Sequence, residues 1–214
     1  MIAFLADIHG HLAALDAVLA DARQRGARRF VCLGDVEDDG CLERLAEIGA
    51  LCVFGNWEVS GWARCAEPQR SWVHSWPPVL AEGVWMAAHA SPDWPAEATT
   101  IEAAASYRQQ RGLHWLTLFP PLNRDARARW RALAVLEETG ARLGFHGHTH
   151  VQEAWRWLPD GRLQRLRGGG FDVLPDGSRY LVGVGSVGEP RDGVGACYAL
   201  WQTPRRVHLI RVAL

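Results

Sequence analysis

Residues that can bind metal ions follow five short apolar runs of the chain, and after four of these runs one of the residues neighbours a glycine. Each run has the length and composition of a buried β-strand. The side chains are carboxylates, imidazoles and one carboxamide, a mixed oxygen and nitrogen set that suits borderline divalent metals such as Mn, Fe, Zn or Ni. They are Asp7 and His9 after residues 2–6, Asp35 after 28–33, Asn56 after 50–54, His89 after 84–88, and His148 and His150 after 141–145.

The predicted order of the elements explains how these seven side chains can meet. A strand–helix–strand–helix–strand pattern opens the chain, with helical periodicity over residues 11–26 and 41–49, and it predicts parallel pairing through right-handed crossovers. The carboxyl ends of parallel strands share one edge of a sheet, where ligand sites form. A single DxH is more often a turn, and a lone His89 more often a core histidine, but the ordered set of five favours a common site. Seven candidate ligands exceed what one ion with open positions needs, so the set favours two ions.

The remainder of the chain predicts helices over residues 99–111 and 124–139, separated by the breaker FPPL, and then an all-strand C-terminal third. That third begins with the hairpin VQEAWRWL-PDG-RLQRL. The Trp- and Pro-rich residues 61–82 carry no pattern that assigns them. Because no linker interrupts the chain, we expect one domain over residues 1–214, with two packed sheets and helices outside.

Composition bears on partners and on compartment. The 214 residues carry a net charge of −1, which argues against stable nucleic-acid binding because no positive excess exists to displace counterions. No apolar stretch reaches membrane-spanning length, and the N-terminus MIAFLAD lacks the features of a signal peptide. Five Cys form neither a CxxC pair nor an even framework, which predicts reduced thiols in a cytoplasmic protein. The oligomeric state is not readable from the sequence.

The ordered set resembles the calcineurin-like metallophosphoesterase family, whose pattern runs DxH, GDxx, GNH followed by Asp or Glu, a single His, and GHxH. Further likeness in HLAALDAVL, HASP, GHTHV and GSVGEPRDG extends over nearly the whole chain and looks like the compact bacterial phosphodiesterase branch. The resemblance implies an α/β fold, a four-layer α/β/β/α sandwich of two mixed sheets flanked by helices.

The resemblance also implies a binuclear site, with Mn as the first choice of metal and Fe, Zn or Ni as alternatives. One ion would be held by Asp7, His9, Asp35 and His150, and the other by Asp35, Asn56, His89 and His148, with Asp35 bridging. In such a site a metal-bridging hydroxide attacks a small phosphoester in line, and no protein nucleophile is needed.

Trp57 departs from the family's pattern, which has at this position a His that assists the leaving group as a general acid. An indole N–H does not titrate, and loss of a general acid costs ~10²–10⁴ in rate. The departure favours activated or diester substrates over simple monoesters. Trp57 could stack on a nucleobase or pack against the groove wall. His11, at the start of the first helix, could replace the acid or face solvent.

Arg191, in GSVGEPRDG, also has two interpretations. Its guanidinium could bind a phosphate bidentately, or it could pair with Asp192 or another carboxylate and hold the loop, and we favour the structural role.

Three functions compete. The leading one is a metal-dependent phosphodiesterase for nucleotide-type or other small activated diesters. The second is a phosphomonoesterase, such as a protein phosphatase, or a dinucleoside polyphosphate hydrolase; relatives of this kind carry GDxxDRG, where this chain has Asp39 in place of the Arg. The third is a non-catalytic metal-binding scaffold, as in a retromer subunit related to the compact branch. The seven intact ligand positions argue against it.

Overall fold

The computed structural model of the protein describes residues 1–61 and 65–214. Over these residues the chain forms twelve strands and seven helices. The strands are β1 Ile2–Leu5, β2 Arg29–Cys32, β3 Leu51–Cys52, β4 Val79–Glu82, β5 Trp85–Ala88, β6 Leu143–His146, β7 Gln152–Trp157, β8 Leu163–Leu166, β9 Gly170–Asp172, β10 Arg179–Val184, β11 Ala196–Gln202 and β12 Arg206–Val212. The helices are α1 Leu12–Gln24, α2 Asp39–Glu47, α3 Asn56–Gly61, α4 Gln69–His74, α5 Ile101–Gln110, α6 Trp115–Leu118 and α7 Ala126–Thr139.

Two mixed six-stranded sheets form the centre of the fold. The first has the order β3-β2-β1-β11-β12-β9, and the second has the order β4-β5-β6-β10-β7-β8. Each sheet contains three neighbouring parallel strands, β3-β2-β1 in the first and β5-β6-β10 in the second. The remaining neighbours pair antiparallel. The parallel strands therefore carry all the loops in which the sequence predicts chemistry.

Alternation along the buried strands builds the layers. Leu5 faces α1 and α2 in one apolar cluster, whereas Phe4 faces the second sheet and stacks on Phe145, with ring centroids 3.7 Å apart. A third cluster joins the outer face of the second sheet to α7 through residues such as Leu136. The predicted four-layer α/β/β/α sandwich is confirmed, because apolar side chains fill each of its three interfaces.

The structure differs from the sequence prediction in a few short elements. The strand predicted over residues 50–54 is only Leu51–Cys52, because the chain leaves the sheet and the Phe54 N–H bonds to the carbonyl of Pro77. The unassigned residues 61–82 contain α4 and β4, apart from residues 62–64, which lie outside the described residues. The three-residue β9 was not predicted. Within the described ranges, no helix has both the length and the apolar character needed to cross a membrane.

Candidate metal centre

The seven predicted ligands lie together at the carboxyl ends of the parallel strands, in two groups. Asp7, His9 and His150 form the first group, and Asp35, His89 and His148 form the second. In each group, one potential ligand atom per residue lies within 4.8 Å of the others. Asn56, the first residue of α3, joins the second group, with its Oδ1 3.1 Å from His89 Nε2. The chain therefore has two adjacent candidate metal sites.

The first group is built from two loops that are far apart in the sequence. His9 Nε2 lies 3.3 Å from His150 Nε2 and 4.0 Å from Asp7 Oδ1. His150 Nε2 lies 3.5 Å from the same carboxylate oxygen. The other oxygen of Asp7 accepts the backbone N–H of His148 at 2.9 Å, which ties the two loops together.

The second group converges on His89. Its Nε2 lies 3.4 Å from Asp35 Oδ2 and 3.2 Å from His148 Nδ1. The other oxygen of Asp35 accepts the backbone N–H of Trp57 at 2.9 Å. The geometry thus directs one oxygen of Asp35 into the second group. A bridge from Asp35 to the first group stays a prediction.

Hydrogen bonds on the far side of the imidazole rings fix which nitrogen faces each group. His89 Nδ1 donates to the Leu33 carbonyl at 2.7 Å, and His150 Nδ1 donates to the Glu189 carbonyl at 2.7 Å. A neutral ring that donates through Nδ1 presents only a lone pair at Nε2. The Nε2 atoms of His89 and His150 therefore direct lone pairs toward the carboxyl oxygens of Asp35 and Asp7, an arrangement that a cation between them would stabilise.

Burial gives independent support for a cation. Asp7 Oδ1 is buried and, among the described atoms, has no hydrogen-bond partner. Burial, as the largest cause, raises the pKa of both Asp7 and Asp35 well above the usual range. It also lowers the pKa of His89, and it lowers that of His148 to about 4. Neutral imidazoles beside buried carboxylates without a counter-charge are the donor set that a divalent metal ion fits.

Two glycines leave the space in which the ligands sit. A Cβ on Gly55 would lie 2.2 Å from Asp35 Oδ1 and 2.8 Å from His89 Nδ1. A Cβ on Gly147 would lie 2.7 Å from Asp7 Oδ2. The motif glycines are therefore required because the ligand side chains occupy the position of any larger residue.

The backbone of the ligand loops is strained. Five of the seven predicted ligands have left-handed φ values between 48° and 63°: Asp7, His9, Asp35, His148 and His150. This conformation costs an L-residue roughly 1–2 kcal/mol, and it persists only where the surroundings hold it. Strain concentrated on the predicted ligands is typical of a functional site.

Glu58 helps to hold the second group, a role that the sequence did not reveal. It is 4% exposed, and its carboxylate accepts the backbone N–H groups of Asp35 at 2.9 Å, Val36 at 2.9 Å and Gly55 at 2.6 Å. Burial nevertheless raises the pKa of Glu58. The acidic residue after the GN motif is thus an internal acceptor that joins the loops after β2 and β3.

A cavity of about 560 Å³ opens above the two groups. Its walls include the apolar side chains of Trp57 and Leu116, which are 42% and 50% exposed. Two arginines, Arg124 and Arg191, also line it. Neither guanidinium forms an ion pair or a hydrogen bond with any described residue. The cavity therefore combines an apolar wall, two arginines and three acidic side chains. No sequence motif indicated Leu116 or Arg124.

The remaining predicted site residues have the following places. Trp57 lies edge-on to His9 with ring centroids 6.0 Å apart. His11 is exposed at the start of α1, with its ring against Gly188, and is not among the described residues that line the cavity. A catalytic role for His11 stays a prediction. Asp192, one of the possible partners of Arg191, accepts instead from Arg211 at 2.7 Å. The role of Arg191 stays a prediction.

Comparison with known proteins agrees with the fold. Residues 1–206 match the model of the calcineurin-like phosphoesterase superfamily domain, and the chain belongs to that superfamily. An uncharacterized protein of Methanocaldococcus jannaschii is 26% identical, over 99% of this chain and 87% of that protein.

Two solved structures are similar to this chain. A metallophosphoesterase from Sphaerobacter thermophilus is 25% identical with a TM-score of 0.69, covering 99% of this chain and 87% of that one. A conserved uncharacterized protein of Streptococcus pneumoniae TIGR4, a predicted phosphoesterase, has the same fold, with a TM-score of 0.51 at 17% identity, and the match covers 98% of this chain and 88% of that one.

Proposed function

We propose that this protein is a metal-dependent phosphodiesterase that hydrolyses small phosphodiesters with nucleotide-type or other activated organic groups. The observation that carries the proposal is the wall of the cavity, where Trp57 and Leu116 are two exposed apolar side chains. By the sequence resemblance, Trp57 would take the position of the family's general acid. A diester has two organic substituents to place against such a wall, whereas a monoester has one.

The two groups at the base of the cavity would hold a pair of divalent ions, with Asp7, His9 and His150 on one and Asp35, Asn56, His89 and His148 on the other. Such a pair supplies Lewis-acid activation of water and of the phosphoryl group at neutral pH. Mn²⁺ is the ion that we propose first, and the mixed carboxylate, amide and imidazole donors would also accept Fe, Zn or Ni.

The arginines are the groups of the cavity that would bind the phosphate of a substrate. Arg124 and Arg191 line it without ion-pair partners among the described residues, so their N–H donors are available for the phosphate oxygens of a substrate. Their positive charges also stabilise the negative charge that accumulates on the phosphoryl oxygens in the transition state.

Departure of the leaving group distinguishes the candidate substrates. The Trp57 side chain cannot protonate a leaving oxygen, because its indole N–H does not titrate in water. Simple alkyl monoesters, whose alkoxide leaves poorly without an acid, are therefore expected to be slow. Diesters with acidic alcohols as leaving groups depend least on protonation.

The test compares hydrolysis of bis-p-nitrophenyl phosphate with that of p-nitrophenyl phosphate, with Mn²⁺ supplied and Asp35→Ala as the blank. We expect diester turnover to exceed monoester turnover and to vanish in the variant. Preference for the monoester would overturn the assignment of Trp57 and direct attention to His11 as the acid. Metal binding without turnover of either compound would favour the scaffold function.

A further inference from the structure

One non-glycine residue outside the predicted ligand set shares the backbone conformation of the ligands. Within residues 1–61 and 65–214, positive φ at non-glycine residues occurs at five predicted ligands and at Glu37, where φ is 70°. The chain has Glu at this position, although glycine would adopt the same conformation without strain. Strain of this kind persists only where the surroundings hold it, so we ask what the side chain of Glu37 contacts.

The side chain of Glu37 contacts a predicted ligand directly. Its Oε1 accepts a hydrogen bond from His9 Nδ1, on the side of the ring away from the first group. The loops that carry the two residues are joined by backbone bonds: the N–H of His9 donates to the carbonyl of Asp35 at 3.1 Å, and that of Gly10 to the carbonyl of Val36 at 2.9 Å. The fold therefore holds the carboxylate within hydrogen-bonding distance of the imidazole.

His9 differs in this respect from the other imidazoles of the centre. The outer nitrogens of His89 and His150 bond to backbone carbonyls, those of Leu33 and Glu189. These acceptors belong to the main chain, whereas the acceptor of His9 is a side chain. A substitution can therefore remove the hydrogen-bond acceptor behind His9 and leave the main chain intact.

We propose that Glu37 is a positioning residue for the first metal group. Its carboxylate accepts the Nδ1 proton of His9, which fixes the tautomer and turns the Nε2 lone pair toward His150 Nε2, 3.3 Å away, and Asp7 Oδ1, 4.0 Å away. A carboxylate behind a ligating imidazole also makes the ring a better donor to a cation. The inference rests on the proposed metal centre and concerns binding, not turnover.

The test measures Mn²⁺ binding to EDTA-treated protein by titration calorimetry. Glu37→Gly removes the carboxylate and at the same time relieves the left-handed backbone, so the metal-free variant is expected to be at least as resistant to urea as the wild type. Its affinity for one of two Mn²⁺ ions is expected to fall by about 10–100-fold. Glu37→Gln keeps an acceptor oxygen and is expected to recover part of that loss.

Glu189→Ala is the matched control. The Glu189 carboxylate lines the same cavity and lies 3.9 Å from His150 Nδ1, but that nitrogen bonds to the Glu189 backbone carbonyl, which the substitution keeps. Loss of this exposed charge is expected to weaken binding by no more than about fivefold.

Equal losses in Glu37→Gly and Glu189→Ala would overturn the proposal, because they would reflect charge alone. Wild-type affinity for both ions in Glu37→Gly would overturn it as well. A wild-type protein that binds no Mn²⁺ would overturn the metal centre itself, so the two failures are distinguishable.

Discussion

Replacement of Glu58 by Gln is expected to destabilise the metal-free protein, although Gln has almost the same shape. One carboxylate oxygen accepts the N–H groups of Asp35 and Gly55, and the other accepts that of Val36. Gln keeps one acceptor oxygen and places an NH₂ group at the other position. At least one buried N–H would then face a donor instead of an acceptor.

The magnitude follows from the number of groups left without partners. A buried N–H without an acceptor costs roughly 1–3 kcal/mol, so Glu58→Gln should lower the free energy of unfolding by about 2 kcal/mol. Glu58→Ala leaves three N–H groups without acceptors. We expect that variant to lose about 4 kcal/mol, less than three times as much, because water can enter the space and because an anion that repels Asp7 and Asp35 is removed.

Urea unfolding at pH 7 in EDTA measures the effect, provided that the dependence on urea concentration stays the same. Glu47→Gln is a matched control, since Glu47 is 68% exposed on α2 and pairs only at the surface with Arg44. It should change the free energy of unfolding by less than about 0.5 kcal/mol. If Glu58→Gln also stays within that range, Glu58 is not the internal acceptor that the geometry indicates.

Four further results are expected. Gly147→Ala should lose Mn²⁺ binding in calorimetry, because its Cβ would lie 2.4 Å from Ala6 Cβ and 2.7 Å from Asp7 Oδ2, and wild-type affinity would contradict this. Mn²⁺ at about 100 times its dissociation constant should raise the free energy of unfolding by ~2.7 kcal/mol for each ion bound, reversibly with EDTA, whereas an unchanged thermal midpoint would argue against binding. In the metal-free protein, NMR should show His148 titrating near its lowered pKa of about 4, not at the ordinary 6.5. Because the pKa is lower in the folded state, the contribution of the neutral His148 ring to stability is complete above pH 6.5 and is lost as the pH falls toward 4. Trp57→His should raise turnover of alkyl phosphoesters by about 100-fold relative to Trp57→Phe, and equal rates in the two variants would show that no general acid acts at this position.

Much of the centre could be predicted because its information is local. Each ligand lies within a few residues of a strand end, and parallel strands bring their carboxyl ends to one edge whatever the details of packing. Asp7 and His150 are 143 residues apart in the sequence, yet the order of the motifs was enough to place them together. The first two strands and α1 could be predicted for the same reason, because the spacing of their apolar residues indicates the type of element directly.

The short elements could not be predicted, because they have too few residues to show a periodic pattern of apolar side chains. The two-residue β3 ends where Phe54 bonds to the carbonyl of Pro77 and not to the neighbouring strand, and only the packed structure provides that acceptor. The three-residue β9 pairs at the edge of the first sheet, where Gly170 lies so close to the backbone of Val207 that a Cβ would be only 2.6 Å from its carbonyl oxygen.

The ion pairs and supports of the site were also decided by the tertiary structure. Asp192 accepts a hydrogen bond from Arg211 and not from its neighbour Arg191, and Arg191 lines the cavity. Arg124 reaches the same cavity from the turn before α7, with no motif to mark it.

By itself, the sequence determined which residue types stand at the strand ends, and hence a centre of mixed oxygen and nitrogen donors. The tertiary structure decided which side chains support that centre, as Glu58 does through three N–H groups and Glu37 through His9. The physical reason is that a ligand's place follows from strand geometry close to it in the chain. A hydrogen-bond partner is instead selected among all the groups that packing brings within about 3 Å, and that selection has no counterpart in local spacing.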